Sequence, residues 1–227
     1  MPRLLEKHNF AWLLAAMVGL LVSGAYSRDA HESITVIFIQ FSGIGLLLLS
    51  LLSLKGHHKW PKWLLVVVSL IVVMTLIRHA TGQHHLDYLY LGLMLVFLVS
   101  ASWLVGGHVL LTGSIDLNKL IGAFALYLMI GLIWAVLYTM VLVVWPDAFN
   151  GIEPGNWYDN LAVTTYFSFV TLTALGYGDI SPSRPIAEVL VVLEAVAGIF
   201  YVATVVASLV GAMISRRAND GFPGGQR

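Results

Sequence analysis

Between two long apolar stretches lies TLTALGYGD, residues 171–179, in which two glycines flank a tyrosine. Its side chains offer modest chemistry: two threonine hydroxyls, a phenol and the carboxylate of Asp179. Its backbone offers more. Glycine adopts angles closed to other residues, and alternating such conformations can turn successive carbonyl oxygens to one side. A ring of carbonyl oxygens can replace the hydration shell of a cation. Irregular backbone at membrane depth is tolerated only where protein or a water-filled cavity surrounds it, so this loop must face something polar. One further side chain stands out. Glu194, alone in the apolar run VVLEAVAGIFYVATVVASLVGAMI, is an acid where acids are costly and usually pair or face water.

Other chemistries find no support. Cysteine is absent, which removes disulfides, thiolate metal sites and cysteine nucleophiles. There is no glycine-rich phosphate loop, no HExxH, and no Ser/His/Asp set that spacing supports. The chain therefore reads as a non-enzyme without a cofactor. A formal net charge of zero gives no hint of nucleic acid.

The elements that must position the loop follow from composition. Of 227 residues, 59% are hydrophobic and 11% charged, with a mean hydropathy of +0.86; this is an all-α integral membrane protein in a lipid bilayer. A span needs about 20 apolar residues, and six runs qualify: 10–26, 34–54, 62–80, 86–107, 117–144 and 186–214. A seventh, 159–173, is too short to cross and ends in the glycine loop, so it reads as re-entrant. The first run, with Arg3 and Lys7 before it and Ser23 and Ala25 at its end, also fits a signal peptide. The break LLTGSIDLNKL divides the chain into a four-helix region, 1–111, and a loop-bearing region, 112–215. The polar, glycine-rich remainder, 216–227, is expected to be disordered.

Basic residues set the orientation. With the N-terminus cytoplasmic, Arg3, Lys7, Lys55, Lys59, Lys62, Lys119, Arg216, Arg217 and Arg227 lie inside, and Arg28, Arg78 and Arg184 outside. Both termini are then cytoplasmic, in a cell membrane crossed several times. The segment 145–185 faces outward, where Asp147, Glu153, Asp159 and Asp179 could attract cations.

The segment YFSFVTLTALGYGDISP, 166–182, resembles the pore signature of the potassium-channel superfamily, and the similarity runs from about Asp159 through the last helix. GYGD directly after a short threonine-rich helix, between two spans, is a specific signal. The resemblance implies six transmembrane helices per subunit, with a re-entrant pore helix and a selectivity-filter loop. It implies that the carbonyls of Ala174, Leu175, Gly176 and Tyr177 bind dehydrated K+, with Gly178 closing the outer end. Thr173 would end the pore helix, whose C-terminal dipole faces the cavity. Tyr166 stands where the family often has an aromatic donor, positioned to bond Asp179. One chain supplies one loop and such a filter needs four, so a homotetramer with a central pore follows.

Two positions depart from the family's TVGYG. Leu175 for valine is a small change in packing behind the filter. Ala174 for threonine is larger, because in the family that hydroxyl helps form the innermost ion site. Weaker occupancy there and altered barium block are expected, with selectivity for potassium over sodium retained.

In the last helix, Gly198 lies 19 residues after Asp179, the spacing at which the family places a gate hinge; close helix packing is the other reading. Ala195, Ile199, Val202, Val206 and Val210 share one helical face, and the resemblance puts it on the pore. Glu194, beside that stripe, is expected to brace the filter through a hydrogen bond near Thr171 or Thr173; its rival role is a cavity-facing carboxylate that concentrates cations.

The fourth span, LDYLYLGLMLVFLVSASWLVGGHV, has no Arg or Lys. A voltage sensor needs charges in the field, each worth about 2.3 kcal/mol per 100 mV, so steep voltage gating is not expected. His57, His58, His79, His84 and His85 could sense pH or bind metal, though loop histidines are usually plain solvated residues. The expected function is a passive, potassium-selective channel. Alternatives are a less selective monovalent cation channel, a potassium transporter subunit, or a nonconducting membrane sensor.

Overall fold

The computed structural model describes residues 9–27, 62–81, 87–111, 117–153 and 155–220. Helices dominate. In chain order they are α1 (Asn9–Ser27), α2 (Lys62–Thr81), α3 (Asp87–Leu111), α4 (Leu117–Val144), α5 (Trp157–Leu172), α6 (Pro185–Phe200), a π-helical stretch (Tyr201–Val206) and α7 (Ala207–Asp220). Among the described residues, three stretches can cross a membrane by length and composition: Asp87–Val109, Leu117–Val144 and Pro185–Ala212. In α1 and α2 the corresponding apolar stretches are shorter, Phe10–Val22 and Val66–Ile77. The expected span at 34–54 lies outside the described residues, as do His57, His58, His84 and His85.

Local chemistry sets the boundaries around the loop. α6 starts where Pro185 takes the first helical position after Arg184 in extended backbone, a site that needs no N–H donor and suits the ring's fixed φ. α5 is 16 residues long with Asp159 in its first turn, where a carboxylate complements the helix dipole. At 1.5 Å per residue it reaches about 24 Å, short of a full span. It covers the stretch expected to be re-entrant.

Two apolar clusters hold the chain together. The first joins α1, α2, α3 and α4 through Leu13, Met17, Leu64, Leu91, Leu98 and Met129, and reaches Trp157, Tyr201 and Leu209. The second lies behind the 171–179 loop. There Tyr138 of α4, Phe149 and Phe167 of α5 meet with ring centroids 5.3–5.4 Å apart, two of the three contacts edge-on, a preferred arrangement of aromatic quadrupoles. A two-stranded antiparallel ladder closes this end: β1 (Phe149–Asn150) pairs with β2 (Ser181–Pro182), Phe149 opposite Pro182 and Asn150 opposite Ser181. The ladder ties the segment after α4 to the segment after the loop.

Candidate functional site

The last carbonyls of α5 have no helical partners of their own, and each is accounted for. That of Phe169 accepts from the Thr173 N–H and, at 2.6 Å, the Thr173 hydroxyl. That of Val170 accepts from the N–H groups of Leu175 and Gly176, and that of Thr171 from the N–H of Ala174. The Leu172 carbonyl accepts from the Tyr127 hydroxyl of α4 at 2.9 Å. The Leu175-to-Val170 and Ala174-to-Thr171 bonds together form a Schellman motif with Ala174 at its left-handed position. Ala174 indeed has φ 56°. An alanine there carries a steric cost of ~1 kcal/mol that glycine escapes.

From Ala174 onward the backbone alternates. Ala174, Gly176 and Gly178 have φ of 56°, 57° and 78°, while Leu175 and Tyr177 between them are not left-handed. Among the described residues no hydrogen bond reaches the carbonyls of 173–178. Residues 173–179 are all exposed in the single chain. A row of unpaired carbonyls on alternating backbone is what cation coordination requires. At its outer end the Tyr166 hydroxyl donates to Asp179 Oδ2 at 2.8 Å.

Behind the row lies a buried polar group of side chains. Glu194 has no solvent exposure. Its carboxyl meets the Tyr138 hydroxyl through Oε2 and the Ser168 hydroxyl through Oε1. Ser168 also reaches the Gly131 carbonyl of α4 at 2.7 Å, and Thr139 of α4 meets Thr164 of α5 hydroxyl to hydroxyl at 2.7 Å. These contacts correct two expectations for Glu194. Its partner on α5 is Ser168, not Thr171 or Thr173, and it is no cavity-facing carboxylate. The reason is register: α6 crosses α5 where Gly198 meets Leu172, so four residues earlier Glu194 meets Ser168. Thr173 spends its hydroxyl on its own helix, and Thr171 is buried.

At that crossing a Cβ on Gly198 would overlap the Leu172 carbonyl oxygen; close packing is therefore required of this glycine whatever else it does. The irregular point of the last helix comes three residues later, in the π-helical Tyr201–Val206. A π turn inserts about one residue, or roughly 100°, relative to α-helical spacing. The expected unbroken stripe is accordingly interrupted. Ile199, Val202 and Val210 are exposed, Ala195 is half-buried, and Val206 packs partly against the first apolar cluster.

Residues 120–215 match the family described as ion channel. This segment is an ion-channel domain of the two-helix, potassium-channel type. The resemblance to the potassium-channel superfamily is thereby borne out for the C-terminal region. No curated protein and no solved structure matches the chain significantly.

On the plan expected for such a domain, α4 takes the place of the outer helix, α5 of the pore helix, and α6 with its π turn and α7 of the inner helix. The Asp179 end of the carbonyl row is clamped. Gly151, with φ 83°, sits where a Cβ would overlap the Asp179 carbonyl oxygen, so only glycine lets the ladder lie against the end of the carbonyl row. Arg184 grips Asp147 through both nitrogens, Nε to Oδ1 at 2.9 Å and Nη2 to Oδ2 at 2.7 Å. The Arg184 guanidinium holds the Asp147 carboxyl below the usual aspartate range, and Asp147 in turn raises Arg184.

Sequence reasoning passed over Tyr127, Tyr138, Ser168, Thr139, Thr164 and Gly131. A signal existed: a phenol or hydroxyl inside a spanning helix must find a partner, and α4 carries Tyr127, Tyr138 and Thr139 within 13 positions.

Proposed function

We propose that four copies of this chain surround a central pathway and pass K+ in single file down its gradient, the carbonyls of Ala174, Leu175, Gly176 and Tyr177 standing in for water around the ion. The observation that carries this reading is the alternating, unpaired carbonyl row at 173–178, supported from behind by a buried hydrogen-bonded group. A carbonyl already bonded to an N–H is a poor ion ligand; these carbonyls have no such competitor among the described residues. The pore helix aims its C-terminal partial charge towards the same end of the row.

Thr173, Ala174 and the inner-helix residues Ile199 and Val202 then border a cavity on the cytoplasmic side, and both termini lie in the cytoplasm. Four loops are needed because one row covers one side of an ion, and identical subunits close such a ring by rotation. With no Arg or Lys in the fourth span, gating depends only weakly on voltage. Ala174 offers a carbonyl but no hydroxyl at the innermost site, so occupancy there is weak and barium block is altered; Ala174→Thr restores ordinary block. A second reading, a less selective monovalent cation channel, draws on the same missing hydroxyl. Purified protein in planar bilayers under opposed potassium and sodium gradients decides between them. A reversal potential near that of potassium is expected, and one near zero overturns potassium selectivity.

A further inference from the structure

One side chain behind the filter does more than fill space, and its proton count reveals how. Three contacts meet at the Glu194 carboxyl and its neighbour: Tyr138 hydroxyl with Oε2, Ser168 hydroxyl with Oε1, and Ser168 hydroxyl with the Gly131 carbonyl. A serine hydroxyl has one proton and a tyrosine hydroxyl has one. A backbone carbonyl has none to give, and an ionised carboxylate only accepts. With Glu194 ionised, two protons must serve three contacts, and either Gly131 or Oε1 goes without. With Glu194 protonated, the count closes: Tyr138 donates to Oε2, Glu194 donates from Oε1 to Ser168, and Ser168 donates to Gly131.

We propose that Glu194 is held as a neutral carboxylic acid that latches the outer helix to the pore helix through Ser168, and that losing its proton releases the latch and destabilises the filter. The surroundings favour the neutral form. The carboxyl is fully buried within a spanning helix, where an unpaired charge is expensive. The titratable groups near it from the packed helices are Tyr138 and Tyr127 of the outer helix; the pore helix presents Ser168 and Thr171, which do not titrate. Glu188, on the inner helix itself, is exposed at its first turn. Among the described residues no basic side chain pairs with Glu194.

The mechanical consequence follows from where the latch sits. A Cβ on Gly131 would run into the Phe169 ring, so this is a point of close approach between outer and pore helices. Ionised Glu194 draws the Ser168 proton to itself, and the Gly131 carbonyl, which keeps its place in the α4 ladder, loses its link to the pore helix. One turn further along the pore helix, the inner helix meets it at Gly198 and Leu172, directly before the carbonyl row. Loosening at Ser168 is thereby passed to the start of the filter. Rising pH weakens the latch and falling pH restores it.

The test has two readouts. Infrared spectra of wild-type protein and Glu194→Gln in lipid bilayers at neutral pH should differ by one protonated-carboxyl stretching band, lost in the variant; the wild-type band should also vanish at alkaline pH. Absence of any such difference means an ionised Glu194 and overturns the proposal. If Glu194→Gln does not fold, Ser168→Ala serves instead: it should shift that band in frequency, and an unshifted spectrum overturns the latch. The second readout rests on the proposed conduction. Wild-type currents should inactivate faster as pH rises, and Glu194→Gln, whose amide can make all three bonds, should lose that dependence. Equal pH dependence in both proteins overturns the proposal. Absence of current in both counts against conduction, and the infrared band then decides the state of Glu194.

Discussion

The outer and inner helices of the channel domain are alike in length and equally apolar, yet within an apolar 18-residue stretch of each, half of the outer helix is buried in the single chain and only 17% of the inner one. The outer helix is surrounded by its own chain: α1 and α3 on one side, the pore helix on the other, with Val136 and Ala135 at 0% exposure. The inner helix touches its chain along one narrow line, Ala187, Glu194, Gly198, Tyr201 and Leu209. Elsewhere Val189, Val192, Val196, Ile199 and Phe200 are bare. The two sequences differ little in hydropathy, so apolarity records that a helix leaves water. It does not record what covers the helix afterwards. The bare surface of the inner helix is left uncovered by the described residues of its own chain.

The strongest way to break this contrast is to place the same polar group on each helix. Val136→Asn buries an amide among apolar neighbours and should cost at least ~2 kcal/mol, read as loss of folded protein after detergent extraction. Ile199→Asn should leave the chain's own contacts intact and change unitary conductance or tetramer yield instead. Equal loss of folded protein at both positions would erase the distinction.

Next in size are the two glycines at helix crossings. Gly198→Ala drives a methyl against the Leu172 backbone, which cannot rotate aside, whereas Gly131→Ala meets the Phe169 ring, which can swing. Overpacking costs ~1–3 kcal/mol, and Gly198→Ala should lie at the top of that range and Gly131→Ala at the bottom. Thermal unfolding in detergent gives the order; the reverse order would mean that the inner helix is not seated on the pore-helix end.

A smaller pair uses phenols. Tyr127→Phe removes the donor to Leu172 O, a helix-end carbonyl without a backbone partner, and should cost ~1–3 kcal/mol as a buried orphan. Tyr201→Phe removes a bond to Ala123 O, which lies within the helical ladder of α4, and should cost only ~0.5–1.5 kcal/mol. Equal shifts in melting temperature would show that the Leu172 carbonyl finds another donor.

The smallest effect is expected where the two helices are joined beyond their apolar stretches, at Asp147 and Arg184. The folded-state carboxyl of Asp147 is lowered, so the pair stabilises fully above the ordinary aspartate value. That contribution fades as pH falls below ~4 and is gone once the folded-state carboxyl is protonated. Both groups are fully solvated and screened by salt. Asp147→Asn should flatten this weak acid limb of a pH–stability curve, and an unchanged limb would assign it to other carboxylates.

Much of the channel domain was legible because its signals are local. The apolar run at 117–144 and its counterpart at 186–214 are long enough to be read by length alone, and the structure places helices Leu117–Val144 and Pro185–Phe200 there. GYG requires left-handed backbone at Gly176 and Gly178, a property of single residues. The partner of Glu194 was not legible, because it depends on which residue of the pore helix lies opposite when two helices cross, and that is set by Gly198 against Leu172. The register of the last helix beyond Val202 was not legible for a related reason: a π turn leaves no mark in hydropathy.

The sequence by itself determined that this is a membrane protein, that one apolar stretch is too short to span, and that a glycine-bearing loop follows it. Each is decided by side-chain solvation or by backbone freedom within a few residues. Only the tertiary structure decided that Ala174 shares the left-handed alternation, that the pore-helix carbonyls are satisfied by Tyr127 and the loop's own N–H groups, and that Glu194 meets Ser168 and Tyr138. The contacts of Tyr127 and Glu194 join residues 26 to 56 positions apart, and their pairing is set by how helices pack rather than by what any one helix prefers.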